Sequence, residues 1–404
     1  MTVAVSMTLR GRVVSVDSVV EDGVVVVEGD RISWVGPACS APGQIPPHSG
    51  STILPGLVDV HCHGGAGASF PDSGSADLMT AVRHHRARGT TTMLASLVSA
   101  PADRLIAQTS LLADLYHSGD IAGVHVEGPF LSSARCGAQD PNSLRAGDPG
   151  LLRDILDAGR GAVKSMTLAP EIDGFDRIGD ALREHGVLPS IGHTDADALT
   201  TRRGIEALGE GPISATHLFN GMPTWHHRAP GPVSECLAAA AKGRIVLELI
   251  GDGVHLADET VRAVFDLVGG ERIALVSDAM AAAGMSDGRY RLGPLEVTVR
   301  GSVARLSREG DDGGTDQDAN PIAGGTSTVL DLVRRAVVNA GVPLAEAVRA
   351  GSSTPASLIG VGHEIGMLAT GFVADILVVD AAFESVQVIR RGERIQREAA
   401  SWRS

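Results

Sequence analysis

The chain has 404 residues, 43% of them hydrophobic and only 3% aromatic, with 50 glycines, 20 prolines and a formal charge of -14 at pH 7. That length supports one large domain plus a small one around an aliphatic core, and the acidic balance disfavours nucleic acid and anionic membranes as partners. No apolar run reaches the roughly 18 residues of a membrane-spanning helix, and the sequence does not open on a secretory leader, so a cytoplasmic protein is expected.

Residues 1–54 read as short strands and turns. Arg12-Val13-Val14-Ser15-Val16 and Gly23-Val24-Val25-Val26-Val27-Glu28 are β-prone, and Gly29-Asp30 turns the chain into Arg31-Ile32-Ser33-Trp34-Val35. From residue 55 the texture changes. Apolar strand candidates at 57–62, 90–98, 121–127, 164–170, 188–193, 213–219, 245–251 and 273–278 alternate with stretches of helical period such as 75–88, 103–117, 150–159, 175–185 and 257–268. Near-continuous apolar runs fit parallel strands buried on both faces, and this alternation predicts a (β/α)8 barrel. Residues 290–306 return to β, Glu309 to Asn320 is an acidic Gly-rich loop, 326–340 and 344–358 are helical, and Gly371-Phe372-Val373-Ala374-Asp375-Ile376 leads back into strands. The expected architecture is therefore α/β: a TIM-like (β/α)8 barrel over 55–362, with a small β-sandwich domain built from both chain ends, 1–54 and 363–404. Cys39, Cys62, Cys136 and Cys236 are scattered without a Cys-x-x-Cys pair, which points to neither a disulfide framework nor a zinc knuckle.

Catalytic groups of such barrels stand at the C-terminal ends of the strands, and six ligand-type residues fall there. His61 and His63 end the first candidate, one residue apart and so on the same face. Glu127 ends the third, His193 the fifth, His217 the sixth and Asp278 the eighth. Four imidazoles and two carboxylates at one rim suit Zn2+ or Fe2+. Two buried carboxylates side by side are hard to account for without a cation.

His61-x-His63, Glu127-Gly128-Pro129, Gly192-His193-Thr194, Thr216-His217 and Ser277-Asp278-Ala279 resemble, in order, the motifs of the amidohydrolase superfamily. His125-Val126-Glu127-Gly128-Pro129-Phe130 and Thr216-His217-Leu218-Phe219-Asn220-Gly221-Met222-Pro223 are similar to those of the N-acetylglucosamine-6-phosphate deacetylases, over about residues 10 to 390. The resemblance implies hydrolysis of the acetamide of an amino-sugar phosphate, giving the free amine and acetate. It implies Glu127, His193 and His217 around one divalent ion, and His61, His63, Glu127 and Asp278 around a second, with Glu127 bridging. Lys164 begins its strand instead of ending it and is the poorer bridge. Asp278 is the implied catalytic residue, base first and acid afterwards. Arg228 and His255 match substrate-binding positions, the arginine suiting phosphate by its fork geometry and permanent charge, and Asn220 and Gly221 match residues near that group; Arg228 in relatives reaches into the neighbouring site of a homodimer. Without the resemblance, Arg228 beside His226 and His227 reads equally as a solvated loop. Ala138 matches a sugar-contacting position and Gln139 lies beside it, where many relatives carry histidine. Ile322, Ala323 and Gly324 resemble a loop that touches the substrate; a plain Gly-rich turn with Thr326 or Ser327 capping the next helix explains them as well. Cys136 is a loop candidate near the pocket mouth.

Two other functions fit the same frame. One is a different metal-dependent amidohydrolase, acting on cyclic amides or N-acyl amino acids. The other is a non-catalytic binding protein, which would have lost metal ligands; this sequence retains them all.

Overall fold

The computed structural model describes residues 6–15, 18–307 and 320–396. Val16, the acidic stretch from Glu309 to Ala319, and residues 397–404 lie outside the described residues.

All eight apolar runs become strands of one parallel sheet. In chain order these are Leu57–Asp59, Thr90–Leu97, Gly123–Glu127, Val163–Leu168, Leu188–Ile191, Ser214–Ala215, Val246–Leu249 and Ile273–Leu275, each bonded to the next. The sheet curls until its first and last strands meet. There Cys62 bridges Ala279 in parallel, and the backbone N–H groups of Asp278 and His63 donate to the carbonyls of His61 (2.9 Å) and Ala279 (2.7 Å). This closure sets the His61–His63 segment beside Asp278, although more than half the chain separates them.

Helices at Ser75–Arg86, Ala102–His117, Pro149–Gly159, Phe175–Glu184, Ala198–Ala207, Gly231–Ala241, Asp258–Val268 and Val329–Val338 follow the strands and cover them. Pro149–Gly159 illustrates the local logic. Asp148 caps its first turn by accepting from the N–H groups of Gly150 and Leu151, and Pro149 supplies a φ already suited to a helix start. Leu151, Leu152, Ile155 and Leu156 are its buried stripe. The helix expected over 344–358 is two, Leu344–Gly351 and Ser353–Leu358; Pro355 has no N–H to offer the Gly351 carbonyl, so the ladder stops. Val329–Val338 is capped by Thr328, not by Thr326 or Ser327: the Asp331 carboxylate accepts from the Thr328 N–H at 2.7 Å.

Between the eighth strand and that helix lies an antiparallel sheet, Gly288–Leu292, Leu295–Arg300 and Val303–Leu306. Its inner side chains, Leu292, Val297, Val299 and Ala304, pack with Val98, Met280, Ala282 and Ala323 beside the barrel rim.

The small β-domain is assembled from both chain ends. Its hydrogen bonding runs unbroken through seven strands. Thr52–Pro55 is the joint: it pairs in parallel with Ser6–Val14 (Arg12 opposite Thr52) and antiparallel with Ile376–Val379 (Ile53 opposite Val378). The Gly29-Asp30 turn is present, with Gly29 at φ +62°, a conformation costly for other residues. Among the described residues no helix is long and apolar enough to cross a membrane.

Candidate metal centre

The six rim residues converge. His61 and His63 bring their Nε2 atoms within 3.1 Å of each other. Glu127 lies between two histidine pairs. Its Oε1 is 3.0 Å from His193 Nε2 and 2.9 Å from His217 Nε2, while its Oε2 is 3.3 Å from His63 Nε2. Asp278 Oδ1 is 3.4 Å from His61 Nε2 and 3.2 Å from His63 Nε2. All six are buried; Asp278, at 8%, is the most exposed.

Hydrogen bonds on the far side of the rings fix which nitrogen carries the proton. His63 Nδ1 donates to the Ser96 carbonyl (3.2 Å), His193 Nδ1 to the Arg135 carbonyl (2.8 Å), and His61 Nδ1 to the Glu248 carboxylate (3.2 Å). A carbonyl or carboxylate only accepts, so the neutral form of each ring keeps its Nε2 lone pair for the shared space. Two donor triads result, His61–His63–Glu127 and Glu127–His193–His217. Nitrogen and carboxylate donors in such sets suit a divalent transition metal, and the residues present fit one. The chain is also bent to reach this arrangement: His193, His217 and Asp278 have φ of +46°, +27° and +44°, left-handed values that cost side-chain-bearing residues of order 1 kcal/mol or more each and recur at functional sites.

The electrostatics agree. Burial disfavours the charged form of Glu127, but His61 and His193 outweigh it and hold the carboxyl well below its usual range. Burial likewise opposes ionised Asp278, yet His61 and His63 bring it down to about 2. Conversely, burial lowers His61 and the two carboxylates more than compensate, leaving it raised well above an ordinary histidine. Both carboxyls are therefore ionised at the centre of the cluster, where their oxygens are available to a cation.

A third buried triad, Asp59–Cys62–His85, lies behind the first, and its donors are engaged. Asp59 accepts from Ser277 Oγ at 2.6 Å, and His85 Nε2 donates to the Gly64 carbonyl at 2.9 Å.

Above the two main triads opens a cavity of about 300 Å³, lined by Gly137, Ala138, Gln139, Phe219, Asn220, Gly221, His255, Leu292, Pro321, Ile322 and Gly324 with His63, Glu127, His193, His217 and Asp278. Seven of the nine residues expected to contact substrate line this cavity. His255 is oriented by Asp252, whose Oδ2 accepts from Nδ1 at 2.8 Å. Gly221, at φ +61°, lies so close that a Cβ there would come within 3.0 Å of His193 Nδ1. Gln139 lines the cavity but has both ends of its amide engaged: Nε2 donates to Glu127 Oε2 at 2.6 Å, and Oε1 accepts from the Ser99 N–H at 2.7 Å.

Two expected contacts do not line the cavity of their own chain. Ala323 is fully buried among the apolar residues of the antiparallel sheet. Arg228 is exposed on the loop after the sixth strand, and no lysine or arginine lines the cavity among the described residues. Cys136 is half-buried beside the lining residue Gly137; its carbonyl accepts from the Gln139 N–H. Lys164 is far from the rim, donating to the Gly161 carbonyl at the strand's start.

Sequence reasoning passed over Glu248, Asp252, Phe219, Leu292 and Pro321. For Glu248 a signal existed: an acid in the middle of Ile245-Val246-Leu247-Glu248-Leu249-Ile250 is conspicuous in a strand buried on both faces.

Residues 52–395 match the amidohydrolase family. The chain is 30% identical over 395 residues to an N-acetylglucosamine-6-phosphate deacetylase of Bacillus subtilis (strain 168), covering 94% of each. It is 31% identical over 357 residues to an N-acetylgalactosamine-6-phosphate deacetylase of Escherichia coli O157:H7, covering 87% of this chain and 90% of that one. Among solved structures, an N-acetyl-D-glucosamine-6-phosphate deacetylase from Mycobacterium smegmatis, a mutant in complex with N-acetyl-D-glucosamine-6-phosphate, superposes with a TM-score of 0.88 at 39% identity, covering 96% of this chain and 99% of that one.

Proposed function

The chain belongs to the amidohydrolase family, and on that premise we propose that it hydrolyses the acetamide of N-acetylglucosamine 6-phosphate to glucosamine 6-phosphate and acetate, a step of amino-sugar recycling. The observation that carries this reading is the likeness to the Mycobacterium smegmatis enzyme over nearly the whole of both chains, taken with a carboxylate-bridged histidine cluster at the floor of a substrate-sized cavity.

His193, His217 and Glu127 would hold one divalent cation, Zn2+ or Fe2+, and His61, His63, Glu127 and Asp278 would hold a second. A metal bound there would lower the pKa of water and polarise the acetyl carbonyl. The protein's own groups do the rest. The Asp278 carboxylate, ionised near neutrality, accepts the proton of the attacking water on Oδ. It returns that proton to the amide nitrogen, so the amine departs neutral. One carboxylate is base and then acid, and its protonation state is restored each turnover. Glu127 keeps both oxygens committed to the histidine pairs. His255, steadied by Asp252, donates to the sugar phosphate, with Asn220 and Gly221 beside it. Ala138, Ile322 and Gly324 wall the sugar, and Ala323 supports that wall from behind.

A phosphate dianion calls for a stronger cation than the cavity lining offers, and Arg228 supplies it from the neighbouring subunit of a homodimer. That role fits its exposed position outside its own cavity. The four thiols are free, as in a reducing compartment, and a phosphorylated sugar is retained in the cytoplasm where we place the enzyme.

The test is acetate release by metal-loaded and chelator-stripped protein from N-acetylglucosamine 6-phosphate, N-acetylgalactosamine 6-phosphate and unphosphorylated N-acetylglucosamine. The highest kcat/KM should fall to the first, with loss of activity on stripping. Full activity without metal, or no release from any of the three, would overturn the proposal.

A further inference from the structure

Glu248, in the strand Val246–Leu249, is only 3% exposed. A carboxylate inside a barrel is costly unless it is fully hydrogen-bonded, and the mechanism above makes no use of it. Its partners reveal a connected structure. Oε2 accepts from His61 Nδ1 at 3.2 Å and Oε1 accepts from Ser214 Oγ at 3.0 Å, with Ser190 Oγ 3.4 Å from Oε1. From there hydroxyls run around the barrel interior: Ser214 to Ser190 (2.7 Å), Ser190 to Thr216 (2.6 Å) and Thr216 to Thr167 (2.8 Å). Thr167 meets His125 Nε2 at 2.8 Å, His125 Nδ1 meets Ser96 Oγ at 3.0 Å, and Ser96 Oγ accepts from the Cys62 N–H at 2.9 Å. The belt leaves from His61 and returns to the residue between His61 and His63. Barrel interiors are ordinarily filled with branched apolar side chains; here a polar ring lies under the metal ligands instead.

The two donor triads are not backed alike. His61 is backed by a carboxylate. His193 is backed by the Arg135 carbonyl, and among the described residues His217 Nδ1 is buried without a hydrogen-bond partner. A carboxylate behind a metal-bound imidazole fixes its tautomer and strengthens it as a donor.

We propose that Glu248, held by the Ser214–Ser190 end of this belt, is a positioning residue that sets the affinity of the His61–His63 metal position separately from that of the His193–His217 position. The inference rests on the two-metal reading above, so its test reads metal and not turnover. In Glu248→Gln the amide oxygen still accepts from His61 Nδ1, and the hydroxyls of Ser214 and Ser190 rotate to accept from the amide nitrogen. Only the charge is lost.

The experiment strips the full-length protein with chelator and titrates it with Zn2+ against a chromophoric competitor, then repeats the loading with Co2+ and follows its visible absorption. In Glu248→Gln one of the two affinities should fall by about 10- to 100-fold, while the other stays within about 2-fold and one Co2+ band set is lost selectively. Ser214→Ala, which removes a donor to Oε1 and leaves the carboxylate, should weaken the same position by a smaller factor. It also serves should Glu248→Gln fail to fold. Two unchanged affinities, two that fall together, or a wild type that binds a single ion would overturn the inference. Selective loss of one ion in a protein that releases no acetate would leave the inference standing and sink the substrate reading.

Discussion

Gln139 donates its side-chain amide to the oxygen of Glu127 that His193 and His217 leave free, at 2.6 Å. With Oε1 facing two imidazoles and Oε2 facing His63 and Gln139, both oxygens of the carboxylate are engaged. Gln139 thereby acts on the metal centre as well as on the cavity wall. Gln139→Leu keeps the volume and removes the donor. We expect kcat and metal affinity to fall by about 10-fold or more, with KM for the sugar within about 3-fold. A variant that raised KM alone would return Gln139 to a purely sugar-contacting role.

Asp278 is the only group proposed to carry a proton between water and leaving nitrogen. Asp278→Asn preserves its shape and abolishes its basicity, and kcat should drop by about 100- to 10,000-fold. Calorimetry should find the substrate still bound. Retention of more than a tenth of wild-type kcat would assign the proton transfer elsewhere.

Arg228 offers a test of both phosphate recognition and assembly. Arg228→Ala should raise KM for N-acetylglucosamine 6-phosphate by about 10-fold or more, the scale of a lost charge-assisted hydrogen bond, and leave the unphosphorylated sugar nearly unaffected. Mixing Arg228→Ala with Asp278→Asn subunits should recover activity, because the hybrid dimer contains one site with an intact Asp278 and a neighbour's intact arginine. No recovery after verified subunit exchange would place Arg228 in its own site or outside the reaction.

Two histidines of the helix Ser75–Arg86 predict the response of stability to acid. Burial, with help from His85 and Arg88, lowers His84 to about 3, and burial lowers His85 to about 4. Below the ordinary value near 6.5 the unfolded chain binds protons that the folded chain refuses, so each contribution is complete above that pH and is lost as the pH falls toward 4. The slope is at most about 1.4 kcal/mol per pH unit for each group. His85→Gln keeps a donor for the Gly64 carbonyl and cannot titrate. Its Tm should decline less steeply than wild type between pH 6.5 and 4.5; parallel Tm profiles would refute the assignment.

The sequence by itself determined the barrel and its rim. Apolar runs of strand length, alternating with helical stripes, leave parallel pairing as the way to bury both faces, and a parallel barrel puts the ends of those runs at one opening. His61, His63, Glu127, His193, His217 and Asp278 were legible for that reason: each is a ligand-type residue at or near the end of an apolar run. What only the tertiary structure decided is what stands behind and above them. His61 meets Glu248 across 187 positions of sequence and Gln139 turns back on Glu127 across 12; neither pairing leaves a periodic trace. The same holds for Arg228 and Ala323, whose places outside the cavity depend on how a loop and a three-stranded sheet pack at the rim. Periodicity reports which face of an element is buried, because burial acts on each residue separately. A hydrogen bond between distant side chains depends on closure of the whole barrel, and no local pattern encodes it.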